Sequence, residues 1–377
     1  TGAGRPVQWL DITAVLPSSH TVDDVVVIAG GYGREVLRTT GAGAEMTQET
    51  CGLVSADVDQ DGTLAGSLWS RREYPPPSIT LERTVCGEVS RRRDVPGRSD
   101  VDVATFSISQ AVRPGKIWRA DLEPNLARQD AVGQTFWIHD SFTREKSLSS
   151  RRLLEMKDRH KGQIAWIIGN GPSVRIEDLD RLHNKLTFAF NRFHLAHERT
   201  VLRPTYTVSA DKQMIEDFGQ AIVDESGGSI FLANDQCPKV VGDFIWVRQL
   251  GVFPPLFSRD PSKWVSPGGS SLYVAMQIAH FMGIRHFYIY GADFKFVYEN
   301  HKHADKFRVA VGDSNHFIPN YRDNKAWCPP SFPNICPAFL NARLMMESDN
   351  GWIRNATRGG LLEMFDREDF EIALASG

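Results

Sequence analysis

Four short segments combine glycine, amide, hydroxyl and carboxylate residues directly after apolar runs, the combination that binding of a phosphorylated, hydroxyl-rich ligand requires. In IAWIIGNGPSV the run ends in Gly169-Asn170-Gly171-Pro172-Ser173. Glycines there let the backbone approach a phosphate or ribose, and a helix opened by Pro172 and Ser173 would offer amides to an anion. In LTFAFNRF the run ends at Asn191, whose amide both donates and accepts and so suits a ribose hydroxyl or a base edge. In PTYTVSAD, Ser209 and Asp211 close the run, as ligands or as helix caps. In SPGGSSLYVAMQIAHFMGIRHFYIYGADF, Ser270 and Ser271 open an apolar helix and Asp293 follows the next strand. Its carboxylate could bind a ribose hydroxyl, orient a neighbour or hold Mg²⁺. The plainer reading is a tight βα turn for the first segment and helix capping for the second and third.

From Lys295 to Pro337 runs a polar and aromatic stretch containing Tyr298, His301, His303, Asp313, His316, Asn320, Tyr321 and Arg322. Its length suits a lid, 295–337, that orders over a substrate. An imidazole ordinarily titrates near neutrality, so His316 is a candidate general base and His303 an alternative. His301 and His303 lie close together, but no further ligands complete a metal set, and a solvated surface role competes for each.

These segments need a scaffold. Ile164–Ile168, Thr187–Phe190, Tyr206–Val208, Ser229–Leu232, Phe244–Val247 and His286–Tyr290 are short apolar runs, with Ser271–Met282 helical between the last two. Strands apolar at every position belong to a parallel sheet covered on both faces. The expectation is a doubly wound, mostly parallel Rossmann-like domain over 161–377, whose ligands lie beyond the carboxyl ends of its strands. Residues 1–145 instead alternate short β-rich runs with Gly, Pro and Asp, which predicts a smaller sandwich or barrel. A linker helix over 146–160 would pack through Leu153, Leu154 and Met156. Two motifs in the first part mislead: VVVIAGGYGREVL lacks the third glycine of a dinucleotide fingerprint, and Asp57–Gly62 starts a calcium loop but puts Leu68 where a bidentate Glu belongs. Both are read as structural turns.

The 377 residues are 41% hydrophobic and 24% charged, with a formal net charge of −3 and basic residues dispersed apart from short clusters such as Arg91-Arg92-Arg93. That composition predicts a folded protein and disfavours nucleic acid as partner. No apolar run is long enough for a transmembrane segment, so the expected place is the cytoplasm, including the periphery of the inner membrane. The chain opens at Thr1, leaving room for a preceding leader or domain. Five scattered cysteines without a CxxC pair read as reduced thiols. A homo-oligomer stays open.

Taken together, GNGPS, FNRF, the Ser-Ser helix start and YGADF resemble the bacterial lipooligosaccharide sialyltransferases of glycosyltransferase family 42. PTYTVSAD and IRNATRGGLLEMFDREDF look more like their relatives, the motility-associated flagellin glycosyltransferases and the 6-hydroxymethylpterin diphosphokinase-like proteins. The resemblance covers Gln163 to Phe370 and implies a GT-A-like variant of the Rossmann-like fold. It assigns nucleotide contact to Asn170, Gly171, Asn191, Ser271 and Asp293, joined by Asn355 and Thr357. It implies a nucleotide-sugar donor, favouring CMP linked to sialic acid or a related acidic sugar, a glycan or glycoprotein acceptor, and no required metal or other cofactor. The N-terminal half would position the acceptor or a partner. Where the family has a SHYIGH-like stretch with the base at its second histidine, SNHFIPNY has His316 at the first position and Asn320 at the second. Two other readings follow: an ATP-dependent pterin diphosphokinase with Mg²⁺ held by Asp293 and Asp211, or a non-catalytic nucleotide- or glycan-binding module.

Overall fold

Runs such as IAWII and HFYIY carry bulky side chains that alternate between two faces, so each strand must be covered on both sides. The computed structural model describes residues 24–29, 35–40, 43–48, 51–58, 63–72, 74–81, 85–94, 101–108, 117–123, 134–139, 148–233, 240–250, 255–297, 301–304, 307–310 and 314–377.

The N-terminal strands form three antiparallel sheets. The first comprises β1 (Asp24–Ala29), β2 (Glu35–Thr40) and β3 (Gly43–Gln48). After them come β4 (Cys51–Val58), β5 (Leu64–Arg71), β6 (Ser78–Leu81), β7 (Val85–Cys86), β8 (Glu88–Asp94), β9 (Val101–Ile108), β10 (Ile117–Glu123) and β11 (Gln134–His139). These pair as one sheet in the order β4-β5-β9-β8 and another in the order β11-β10-β6-β7. The two misleading motifs are hairpins: β1 pairs antiparallel with β2, and β4 with β5, where Leu68 is fully buried. The described strands thus make separate small sheets rather than one closed barrel.

Helix α1 (Leu148–Glu155) follows, burying Leu153 but leaving Leu154 49% exposed, against the expectation that both pack. One position along a helix is a rotation of about 100°, which here carries Leu154 off the face that buries Leu153. Its Ser149 Oγ accepts from the Trp246 amide at 2.9 Å, and Arg152 pairs with Asp243 at 2.7 Å.

The second half then alternates β12 (Ile164–Ile168), α2 (Ile176–Arg181), β13 (Leu186–Phe190), β14 (Tyr206–Ser209), α3 (Lys212–Glu225), β15 (Ser229–Leu232), β16 (Ile245–Trp246), α4 (Ser271–Phe281) and β17 (His286–Tyr290). A small antiparallel sheet, β18 (His301–Ala304), β19 (Phe307–Ala310) and β20 (Ala326–Trp327), precedes α5 (Phe332–Ser348), β21 (Trp352–Asn355), β22 (Asp366–Arg367) and α6 (Phe370–Ser376). Eight strands form one sheet in the order β16-β15-β14-β13-β12-β17-β21-β22, every neighbouring pair parallel.

One face of this sheet, including Ala165, Ile167, Phe188, Phe287 and Ile289, packs with α1, α4 and α5. The other, including Trp166, Ile168, Ala189, Tyr288 and Tyr290, packs with α2 and α6, while α3 covers Ile230 and Leu232 on that side. The N-terminal sheets join the first core through Val54, Trp69, Val101 and Val103, and build a second with Leu250, Leu256 and Trp264. Among the described residues no helix is long and apolar enough to cross a membrane, and Cys51, Cys328 and Cys336 form no disulfide.

The stretch expected as a lid is not one long loop. It holds β18 to β20, and α5 begins at Phe332, inside it. His301–Ala304 and Phe307–Ala310 are each only four residues, too short for their alternation to stand out.

Candidate active site

The chain runs outward in one direction from β12 to β16 and in the other from β17 to β22, so the loops after β12 and β17 diverge at the point where strand order reverses. These two loops are bonded to each other. Gly169 N–H donates to the Tyr290 carbonyl at 2.7 Å and Gly171 N–H to the Gly291 carbonyl at 2.9 Å. Ser173 donates to Asp293 Oδ2 through Oγ at 2.8 Å and through its amide at 3.2 Å. Val174 N–H closes back on the Gly171 carbonyl at 3.2 Å. The expected anion grip by the amides of this loop is therefore largely spent within the fold.

From this junction a polar chain continues along the carboxyl edge. Asn170 Nδ2 donates to the Phe190 carbonyl at 3.0 Å and to the Tyr321 hydroxyl at 2.9 Å, leaving Asn170 Oδ1 buried without a hydrogen-bond partner. Ser209 Oγ donates to Asn191 Oδ1 at 2.8 Å. Next to it the Ala210 amide donates to Ser271 Oγ at 3.1 Å, while Gln249 Nε2 donates to the Ala210 carbonyl at 2.8 Å. Asn170, Asn191, Ser271 and Asp293, expected to meet, thus belong to adjoining loops at one edge of one sheet. Ser270 caps α4 by accepting from the Leu272 amide, and Asp211 caps α3 by accepting from the Gln213 and Met214 amides. The capping reading thus holds for Asp211, and Ser270 adds a cap of its own.

Residues 314–325 fold onto this edge. Tyr321 is 1% exposed and Arg322 5%, so neither is the open lid contact that was expected. Arg322 pairs with Asp217 at 3.0 Å, and Arg192 lies 3.9 Å over the Phe218 ring while donating to the Tyr321 carbonyl at 2.6 Å. Desolvation pushes the Tyr321 hydroxyl up to about 12 against the opposing hydrogen bonds of Asn191 and Asn170, so it is a neutral phenol across the physiological range. Against it the His316 ring stacks at 3.9 Å between centroids, 16° from parallel. The half-buried imidazole thus lies on the ring whose hydroxyl accepts from Asn170. Asn320 is exposed, at φ +57° in the turn before Tyr321.

Asn355 and Thr357 turn inward. Asn355, 1% exposed, donates to the Leu362 carbonyl and accepts from the Thr357 amide, and Thr357 Oγ1 accepts from the Ala292 amide at 3.2 Å. Their side chains hold the turn that lies against Asp293, and both residues also line a cavity beside it. Tyr298 lies outside the described residues; His303 is on β18, but its side chain also lies outside them. No group of His, Cys, Asp and Glu suited to a metal occurs among the described residues.

Backbone strain marks the same edge. Asn191 has φ +52° and Phe294 φ +54°. Phe294 is the one non-glycine at positive φ among the described residues that is neither Asn nor Asp, and a bulky side chain there is a true outlier held by its surroundings. Its ring packs edge-on to Phe332 at 5.0 Å. Sequence reasoning missed Arg192, whose only signal is its place in FNRF, and Arg175, an exposed arginine just before α2. No protein-family model matches this chain, and no curated protein matches it.

Proposed function

We propose that the second half is a Rossmann-like, GT-A-like glycosyltransferase domain that moves a sugar from a CMP-activated donor to a hydroxyl of a glycan or protein, the favoured sugar being sialic acid or a related acidic sugar. One observation carries this reading: a row of separately hydrogen-bonded polar groups, Ser173 with Asp293, Asn170 with the Phe190 carbonyl, Ser209 with Asn191 and Ser271 with the Ala210 amide, lies along the carboxyl edge at the strand-order reversal. That is where open parallel sheets take ligands. The orphaned Asn170 Oδ1 supports it further, because a buried acceptor without a partner is costly and a nucleoside N–H or O–H would satisfy it.

In this reading His316 accepts the acceptor's hydroxyl proton as that oxygen attacks the anomeric carbon, while the bond to the CMP phosphate breaks. Stacking on Tyr321 limits the ring to one plane, the preorganisation a general base needs. The N-terminal sheets would present the acceptor.

The test is a thermal-shift panel of CMP, CDP, UDP, GDP and ATP, each with and without Mg²⁺, followed by transfer assays with CMP-linked sugars. CMP should give the largest shift without a metal, since stabilisation follows occupancy of the native state. His316→Ala should bind CMP as wild type does and lose turnover. Stabilisation by ATP with Mg²⁺ alone would replace this reading with phosphoryl transfer, and binding without turnover by any donor would replace it with a binding module.

A further inference from the structure

Beside the nucleotide edge, past Asp293, lies a cavity of about 500 Å³ lined by Arg175, by Asn355 to Gly359 and by Arg367 to Phe370. We infer that it is a separate oxyanion site, built from the Arg175 guanidinium and the backbone amides of Arg358 and Gly359, for a phosphoryl or carboxylate group. The inference holds whether or not the nucleotide edge binds CMP.

The charge balance of the lining points to an anion. Arg358 is committed to Asp178, through Nε at 2.7 Å, and to Glu371 at 2.8 Å. Arg367 is committed to Glu363 and to the carbonyls of Thr357, Gly359 and Gly360. The two acids of the lining are occupied as well: Glu368 accepts from Arg354 at 2.7 Å, and Asp369 caps α6. Arg175 alone has a side chain with no ion pair or hydrogen bond among the described residues, and it is exposed at the cavity. It is the uncompensated charge of the site.

The backbone points the same way. Arg367 gathers three carbonyls of the turn, yet the N–H groups of residues 358, 359 and 360 donate to nothing among the described residues. Gly359 and Gly360 have φ +84° and +75°, and successive amides in such turns form anion-binding concavities. The contrast with the loop after β12 is direct, since there the amides of Gly169, Gly171, Ser173 and Val174 are all bonded within the chain. The turn's own position is fixed by the Leu361 amide, which donates to the Asp293 carbonyl at 2.7 Å. A guanidinium fork together with unpaired amides recognises oxygen anions through charge-assisted hydrogen bonds.

Calorimetric titration of the full chain with inorganic phosphate, and separately with acetate, at constant ionic strength tests this and distinguishes the two ligand classes. Saturable binding of one of them is expected, weakened at least tenfold by Arg175→Ala and less by Arg175→Lys. Gly359→Ala should weaken it too: no atom lies within 4 Å of the added Cβ, so only the strained backbone conformation is affected. Arg199→Ala, a surface charge elsewhere, should leave binding unchanged, and saturating CMP should not displace the anion. Wild-type binding that is absent or unsaturable, equal affinity in Arg175→Ala, equal loss in Arg199→Ala, or displacement by CMP would each overturn the site.

Discussion

Ser173 and Asp293 tie the two diverging loops together at a single oxygen. Hydroxyl and amide of Ser173 both reach Asp293 Oδ2, at 2.8 and 3.2 Å, and a Cβ on Gly171 would stand 2.0 Å from that same atom. The glycine is there because the carboxylate occupies the space a side chain would take. Gly171→Ala should therefore destabilise the fold by about 1–3 kcal/mol, as overpacking does. Combined with Asp293→Ala, which removes the struck oxygen, the cost should be smaller than the sum of the single changes, because the two sites share one contact. Urea denaturation of the four proteins in the cycle measures this, and strict additivity would remove the proposed steric coupling.

Tyr321 does two jobs that substitution separates. Tyr321→Phe keeps the ring against His316 but removes the acceptor of the Asn170 amide, at about 1 kcal/mol of stability. Tyr321→Leu also removes the flat surface on which the imidazole lies. Under the proposed chemistry the phenylalanine variant should keep turnover within a few-fold of wild type, and the leucine variant should lose tenfold or more in kcat with little change in nucleotide binding. Full turnover in Tyr321→Leu would mean that the stack does not position a base.

Much of the scaffold was legible because parallel strands buried on both faces leave a plain trace: IAWII, LTFAF and HFYIY are apolar throughout and each ends in a turn residue. The rule that ligands lie at strand ends then brought Asn170, Asn191, Ser271 and Asp293 to one edge. What sequence could not convey was the direction of each side chain. Asn355 and Asn170 both follow or end an apolar strand, yet one staples a turn and the other keeps a bare acceptor, a difference decided by Leu362 and Tyr321 from elsewhere in the chain. Tyr321 and Arg322 looked like lid residues because polar and aromatic composition implies solvent. Phe218 and Asp217 on α3 supply the partners that bury them. The cavity at 357–359 escaped notice because unpaired amides have no side-chain signature.

Acid should weaken the fold well before its carboxylates titrate. Burial holds His194, His197 and His280 down to about 4, for His280 against the opposing hydrogen bond of its Nε2 with Asp349 at 2.8 Å. A histidine whose folded value is depressed is held neutral, while the unfolded chain takes up the proton from about pH 6.5 downward. The unfolded state then binds more protons, so stability is full above pH 6.5 and falls between there and about pH 4. Asp349, held below its ordinary value against desolvation by His280 and its neighbouring arginines, adds a further loss only below the ordinary carboxylate range. Denaturation midpoints across pH 4 to 8 should show this slope, and His280→Gln should flatten it. A profile flat down to pH 4.5 would mean that these rings accept protons in place.

The two halves should unfold as one unit. Phe257 N–H donates to the Val54 carbonyl at 2.9 Å, crossing from the second half to β4, and Trp264, 3% exposed, sits in the same core as Leu53, Leu68 and Phe106. Val54, Trp69, Val101 and Val103 in turn lie within the core formed by α4 and α5. Neither side can open without exposing the other's apolar surface, which is the condition for a shared transition. Trp264→Ala removes the largest side chain that the second half contributes to this seam, and should cost about 3–5 kcal/mol by the usual measure of a buried aromatic. Far-ultraviolet circular dichroism and tryptophan fluorescence should give coincident wild-type transitions. In the variant both should shift together. If instead the strands of the first half melt early while the parallel sheet persists, the seam is a docking contact between independent folds, and the N-terminal half could be removed without unfolding the parallel sheet.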